Sequence, residues 1–324
     1  MRGTIYLPMR ISRDKHPADI HSIVTEMMAE RYDLKIICSD KLNLNEVEGD
    51  ILFTMKTPQV GYYDAASDIC NLDSKIRLVA YIHDIDAYDE DCLRFNSNFR
   101  KYLRMLLDRA DTILYTYKAS FLGALGEYAG KSMYCPTCIV PSNRYLSINR
   151  DFLSRTRKCI LSGCTVKDWY PLRNHAANNP GDIIEVMSHP GYGINVNEML
   201  NNPNVYIRDK YAVKLSEYVC GLTSTFNGPG KAERDWVTYK FYEIMAAGCV
   251  LVSNWCPEMD ELGFKDMVNY VKVNVDDYRD KVTDIVTRPE KYVEIASNGR
   301  EFVRNDHTVE KRIETVLDNV FSGS

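Results

Sequence analysis

Residues 235–254 read DWVTYKFYEIMAAGCVLVSN. Val237, Phe241 and Met245 recur every four residues, the spacing of one buried helical face. Gly248 stands where a left-handed residue closes a helix, and the apolar run CVLVS after it has the length and composition of a buried strand. Helix, tight turn and buried strand in succession are a repeating unit of α/β proteins. Tyr239 and Glu243 lie one turn apart on a different face from the apolar stripe, with Lys240 between them. A carboxylate and an amine set beside a buried face predict a helix that shapes a pocket.

The same alternation extends in both directions. Upstream, TIYLPM, LKIICSD, DILFTMK, IRLVAYIHD, DTILYTY and SMYCPTCIV read as strands. The helical segments DIHSIVTEMMAERY, NFRKYLRMLLDRA and one around Phe121 to Tyr128 are interspersed among them. The polar stretch PSNRYLSINRDFLSRTR, residues 141–157, reads as a linker. The alternation then restarts with strand KCILSGC, helix DWYPLRNHAANN, strands IIEVMSH and NVYIRD, and helix KYAVKLSEYVC leading into GLTSTFN. After residues 235–254 come strand-like YVKVNV and helices over 276–298 and 308–321. A βα pattern that restarts after a linker predicts an α/β chain of two Rossmann-like domains facing across a cleft, 1–150 and 157–305, followed by a terminal helical segment, 306–324.

The bulk composition agrees with this plan. A chain of 324 residues, 45% hydrophobic and 26% charged, has the size for two ordinary domains and the make-up of a soluble globular protein. No apolar run reaches the length of a membrane span and no charged-then-apolar leader opens the chain, so the expected location is the cytoplasm. A net charge of −5 argues against a large nucleic-acid footprint while allowing a local basic groove. The ten cysteines fall mostly in apolar strand-like runs, the pattern of reduced, buried thiols. Cys135-Pro136-Thr137-Cys138 has redox or zinc spacing, but a zinc site asks for a second well-spaced pair, which Cys159 and Cys164 do not supply. No metal and no resident cofactor are expected.

Asp235, seven residues, Glu243, the turn Ala246-Ala247-Gly248 and the strand Cys249-Val250-Leu251-Val252 resemble the C-terminal domain of GT-B-fold glycosyltransferases, especially the retaining enzymes of family four. The resemblance covers most of residues 157–321; upstream it is one of alternation pattern. It implies an enzyme that moves a sugar from a nucleotide diphosphate donor to a hydroxyl acceptor, with retention and without metal. The donor is then a co-substrate, and the acceptor a glycan, lipid or small molecule. Glu243 is implied to hold the donor ribose, since one carboxylate accepts hydrogen bonds from both hydroxyls of a cis-diol. Asp235 is implied to contact the transferred sugar. The family has Glu there, followed by glycines, whereas this chain has Asp followed by Trp236-Val237-Thr238, with Glu233 as an alternative acid. Asp235 as a simple helix N-cap is the plainer reading.

A departing diphosphate needs cations or helix N-termini around it. The segment SGCTVKDWYPLR offers Lys167 and Arg173 after Gly163, with Cys164 in place of the family's usual Arg. Lys240 and Tyr239, beside Glu243, complete the expected donor site. In GT-B relatives the last helix crosses back to the first domain, a course open to residues 306–324. His83 and Asp84 end the strand IRLVAYIHD, and ligands gather at strand carboxyl ends. By resemblance His83 meets the donor sugar and Asp84 holds it or orients the acceptor hydroxyl. A strand-end histidine with a satisfied hydrogen bond is the alternative.

Three further features stay open. Asp84-Ile85-Asp86, near Asp89, Glu90 and Asp91, matches the DxD with which GT-A enzymes hold a metal, although a second Rossmann-like half fits that class poorly. Arg10, Arg13, Lys15 and His16 lie in a glycine-free loop after the first strand and suit an anionic acceptor. TSTFNGPG, residues 223–230, and His189-Pro190-Gly191-Tyr192-Gly193 are placed to flank the donor. The absence of GxGxxG after the first strand counts against a dinucleotide dehydrogenase. Two other functions compete: a DNA-modifying glycosyltransferase acting on modified bases, and a non-catalytic nucleotide- or glycan-binding protein of the same fold.

Overall fold

The computed structural model describes residues 3–8, 20–39, 42–57, 69, 71–82, 97–139, 145–187, 207–227 and 235–322. Two compact units emerge: Met1–Pro136 with Gly230–Glu233 and Arg312–Ser324, and Thr137–Pro229 with Arg234–Lys311.

The first unit holds β1 (Gly3–Pro8), α1 (Ile20–Tyr32), β2 (Leu34–Ser39), β3 (Ile51–Thr57), β4 (Arg77–Ile82), α2 (Ser97–Arg109), β5 (Thr112–Tyr115), α3 (Lys118–Leu125) and β6 (Ser132–Tyr134). The strands form one sheet in the order β2-β1-β3-β4-β5-β6, with every pairing parallel. Ile5, Leu52, Phe53, Val79, Ile113 and Leu114 are all buried. Central strands of a parallel sheet are covered on both faces, which explains their continuous apolar runs. The C-terminal helix Asp318–Ser322 belongs to this unit. Its Phe321 ring stacks 4.1 Å from Tyr32, and its Asp318 carboxylate accepts from Arg31 Nη2 at 2.7 Å and Tyr32 Oη at 2.6 Å.

The second unit repeats the plan with β7 (Thr156–Ser162), α4 (Pro171–Asn178), β8 (Ile184–Met187), α5 (Ile207–Leu215), β9 (Tyr218–Leu222), α6 (Tyr239–Ala246), β10 (Val250–Ser253), α7 (Pro257–Leu262), β11 (Val271–Lys272), α8 (Tyr278–Thr287) and α9 (Val293–Asp306). Its sheet runs β11-β10-β9-β7-β8, again all parallel. Both units are therefore α/β with parallel sheets, as the alternation predicts.

Residues 235–254 form α6 and β10 with two refinements. The helix starts at Tyr239, with Thr238 as its extended N-cap, so buried Val237 packs from just outside it. Phe241 through Ala246 are buried without exception, which makes α6 a helix enclosed all round rather than one with a single apolar face. Gly248 has φ +76°, the left-handed conformation expected after a helix end.

Boundaries shift around residue 210. Of the expected strand over 204–209, residues 204–206 lie outside the described residues and 207–209 open α5, while the expected helix over 210–220 stops at Leu215. Tyr211, Ala212 and Leu215 face the core at helical spacing. The YVCGL run that follows is β9, buried at every position between β7 and β10. Apolar runs this short do not distinguish helix from strand by periodicity, and sheet pairing decides.

The chain leaves β7 to place β8 on one side, then returns to place β9 on the other. That reversal is a topological switch point, and the carboxyl ends of β7 and β9 border the crevice where open α/β sheets bind ligands.

Candidate functional site

Gly163 follows β7 with φ +106°, a conformation that side-chain-bearing residues rarely adopt. A Cβ there would sit 3.0 Å from Arg173 Nη1 and 3.8 Å from Lys240 Cε, so two cationic side chains from different helices flank this turn. Arg173, near the start of α4, is 2% exposed. Its Nε donates to Thr223 Oγ1 at 3.1 Å, its Nη1 to the Cys164 carbonyl at 3.4 Å, and its Nη2 to the Ser224 carbonyl at 3.3 Å and Thr238 Oγ1 at 3.4 Å. The guanidinium also lies 4.0 Å from the Tyr170 ring centroid. One side chain thereby ties the loops after β7 and β9 to the start of α6.

Glu243 is 3% exposed on α6. Its Oε2 accepts from Lys240 Nζ at 2.7 Å, and its Oε1 accepts from Tyr145 Oη at 2.9 Å. The Lys240 ammonium lies 3.9 Å from the Tyr211 ring centroid, and the Tyr211 hydroxyl hydrogen-bonds Ser162 Oγ. Burial, and then the charge of Glu243, push the Tyr211 phenol well above its ordinary pKa and keep it neutral. A carboxylate enclosed by an apolar helix would be costly without such partners. Lys240 and Tyr145 bond it directly, and Tyr211 and Ser162 extend the series from two further places in the chain.

Asp235 is exposed and accepts from Thr225 Oγ1 at 3.3 Å. Thr225 is clamped in turn by Asn254, whose Oδ1 accepts from the Thr225 amide at 3.0 Å while its Nδ2 donates to Thr225 Oγ1 at 2.6 Å. The N-cap position of α6 belongs to Thr238, so Asp235 does not cap that helix. The residues standing where the resembled family has glycines are fixed firmly. Trp236 stacks on Phe226 with centroids 4.5 Å apart and 10° between planes, and the Val237 amide donates to Glu258 Oε2 at 2.9 Å.

The structure therefore brings Gly163, Arg173, Lys240 and Glu243 together at the switch point. Tyr239 opens α6 and is half-buried, and Lys167 is exposed in the turn before α4. His83, Asp84, the rest of the DxD segment, the basic residues of the first loop and residues 189–193 lie outside the described residues. Sequence reasoning missed Tyr145, Tyr211 and Ser162, while Thr225 lies in the stretch 223–230 expected to flank the donor. Tyr145 stands in the polar stretch read as a linker, where a lone aromatic carries no periodic signal. Ser162 does follow the rule that strand ends carry function, and that rule was the available clue. Among the described residues no three His, Cys, Asp or Glu side chains converge as a metal cluster, and no helix is long and apolar enough to cross a membrane.

A family model described as glycosyl transferase-like matches residues 167–318, which contain α4 through α9. No curated protein sequence matches the chain. Among solved structures it is similar to an alpha-glucosyltransferase in complex with UDP-glucose and DNA containing an abasic site, with a TM-score of 0.66 and 12% identity over 99% of this chain and 100% of that one. It is also similar to Anabaena HepE in complex with UDP and glucose, with a TM-score of 0.64 and 12% identity over 98% of this chain and 99% of that one. Likeness at such low identity speaks to architecture, and the family match speaks to the second unit. Residues 167–318 thus match a glycosyl transferase-like domain, and the chain has the GT-B fold.

Proposed function

We propose that this is a cytoplasmic enzyme that transfers a sugar from a nucleoside diphosphate donor to a hydroxyl acceptor, with retention at the anomeric carbon and without a metal ion. The observation that carries the reading is Glu243, a buried carboxylate held on α6 beside Lys240, close to Gly163 and Arg173 at the switch point of the second sheet. Each carboxylate oxygen can accept more than one hydrogen bond, and a carboxylate is the group that takes both hydroxyls of a ribose cis-diol. Arg173 and Lys240, with Lys167 at the exposed rim, supply positive charge to the diphosphate. The donor side is the second unit, and the acceptor side is the first.

In the proposed reaction the bond from the anomeric carbon to the diphosphate breaks as the acceptor oxygen bonds that carbon on the same face. The departing phosphate oxygen takes the acceptor's proton. Fixed cations around that phosphate stabilise the charge it gains. Asp235, His83 and Asp84 are assigned to the transferred sugar and the acceptor hydroxyl. No protein nucleophile is required.

The test is thermal stabilisation by UDP, GDP, ADP, CMP and dTDP, with and without magnesium, followed by hydrolysis of the matching sugar donors. UDP comes first because both similar structures hold a uridine nucleotide. One diphosphate is expected to stabilise the protein without metal, by about 2.7 kcal/mol at 100 times its Kd. No shift with any nucleotide overturns the reading, and a shift that needs magnesium overturns its metal-free part in favour of Asp84 and Asp86. A second reading, transfer to DNA, draws on the DNA held by the similar alpha-glucosyltransferase. It calls for duplex binding that weakens steeply with salt.

A further inference from the structure

We propose that Tyr145 is a positioning residue for Glu243 and thereby sets how strongly the enzyme distinguishes a ribose from a deoxyribose donor. The proposal rests on the reading of Glu243 as the ribose-holding residue. A glutamate's terminal torsion is broad, so a contact to one oxygen leaves the carboxylate plane free to turn. Here both oxygens are held: Lys240 Nζ donates to Oε2 at 2.7 Å and Tyr145 Oη to Oε1 at 2.9 Å. Neither donor is itself loose. Tyr145 is fully buried within the core cluster that includes Ile139, Phe241 and Tyr242, and the Lys240 ammonium sits over the Tyr211 ring.

Packing alone would be served by phenylalanine at position 145, because the ring fills the core and the hydroxyl adds a polar atom that burial disfavours. The hydroxyl is explained by the carboxylate it bonds. With it gone, Glu243 keeps Lys240 but loses the second constraint on its plane, and the geometry needed to accept from two adjacent hydroxyls is no longer enforced. Groups that bind elsewhere on the nucleotide are untouched.

The experiment measures, by calorimetry, the affinities of wild type, Tyr145→Phe and Glu243→Gln for the diphosphate selected by the stabilisation screen, UDP in the first instance, and for its 2′-deoxy counterpart. Wild type is expected to prefer the ribonucleotide and Glu243→Gln to lose that preference. Tyr145→Phe is expected to reduce it by about tenfold, the worth of one hydrogen bond to an ionised group, with 2′-deoxy affinity unchanged. A purely structural role for Tyr145 would weaken both nucleotides alike. If Tyr145→Phe keeps the wild-type preference while Glu243→Gln loses it, the positioning role is overturned and the assignment of Glu243 stands. If wild type shows no preference, or Glu243→Gln retains it, the ribose assignment falls and the proposal falls with it.

Discussion

Glu243 and Lys240 have side chains only 4% and 11% exposed, so their pairing is a buried one. Removing one partner of such a pair leaves a desolvated charge, at a cost of about 3–5 kcal/mol. Glu243→Ala is therefore expected to lose stability by that amount in urea unfolding as well as losing nucleotide affinity. Glu243→Gln keeps the side-chain volume and an acceptor for Lys240 Nζ, so it is expected to open no cavity while still losing the charge pairing and the nucleotide affinity. Gly163 is the second sensitive position. Its φ of +106° and a Cβ 3.0 Å from Arg173 Nη1 make Gly163→Ala both strained and obstructive. A stability loss of about 1–3 kcal/mol is expected, accompanied by weaker diphosphate binding, both readable in one ligand-dependent melting series. Asp318 gives a pH signature. Hydrogen bonds from Arg31 and Tyr32 hold its carboxyl below the ordinary aspartate value. Its contribution is therefore complete above about pH 3.9, the unfolded value, and disappears as pH falls through the lower folded value. Asp318→Asn is expected to flatten the acid side of the stability profile over that window.

Among the elements, α6 matters most because it carries the site's carboxylate and one of its cations. Its carboxyl end is closed by Gly248 and by Arg155, whose Nη1 donates to the Gly248 carbonyl at 2.8 Å and the Ala247 carbonyl at 3.2 Å. A guanidinium there complements the partial negative charge of the helix end. Burial lowers the Arg155 pKa from its ordinary value. A Cβ on Gly248 would lie 2.8 Å from Arg155 Nη2, on top of the left-handed backbone. Gly248→Ala is expected to cost about 1–3 kcal/mol and to displace α6 enough to weaken nucleotide binding. The glycine was legible from the sequence, as the stop of a helical pattern ahead of a strand. Arg155 was not, since it comes from the polar stretch 141–157 and meets Gly248 across 93 residues of chain. The same limit explains β9. Tyr218-Val219-Cys220 continues an apolar pattern from α5, and only its place between β7 and β10 makes it a strand.

At the scale of the whole molecule, the chain order and the spatial units disagree at the C-terminus. Residues Arg312–Ser324 group with Met1–Pro136, although the chain reaches them from the second unit. Phe321 is 6% exposed, stacked on Tyr32 and 6.0 Å from Phe53, and Arg77 Nη1 donates to the Val320 carbonyl at 2.7 Å. Phe321→Ala is expected to cost about 3–5 kcal/mol through the cavity it opens. Hydrogen exchange locates the loss: β1 and β3 lose protection, while β7 and β9 keep theirs. Equal loss in both sheets would mean that the terminal helix does not act through the first unit.

By itself the sequence determined the α/β class, the restart of alternation that marks a second sheet, and the helix–glycine–strand unit with Glu243 on it. These depend on local periodicity and on turn chemistry, which neighbouring residues settle among themselves. Lys240 and Gly163 were also readable, one from helical spacing and the other from its place after a strand. Only the tertiary structure decided that Glu243 is buried from all sides, that Tyr145 and Tyr211 complete its surroundings, and that Arg173 joins three loops. Those contacts join residues as far as 98 positions apart, where no periodic pattern reaches. They arise because a parallel sheet with a switch point brings the loops after β7 and β9 together, and burial then requires each polar group there to find a partner.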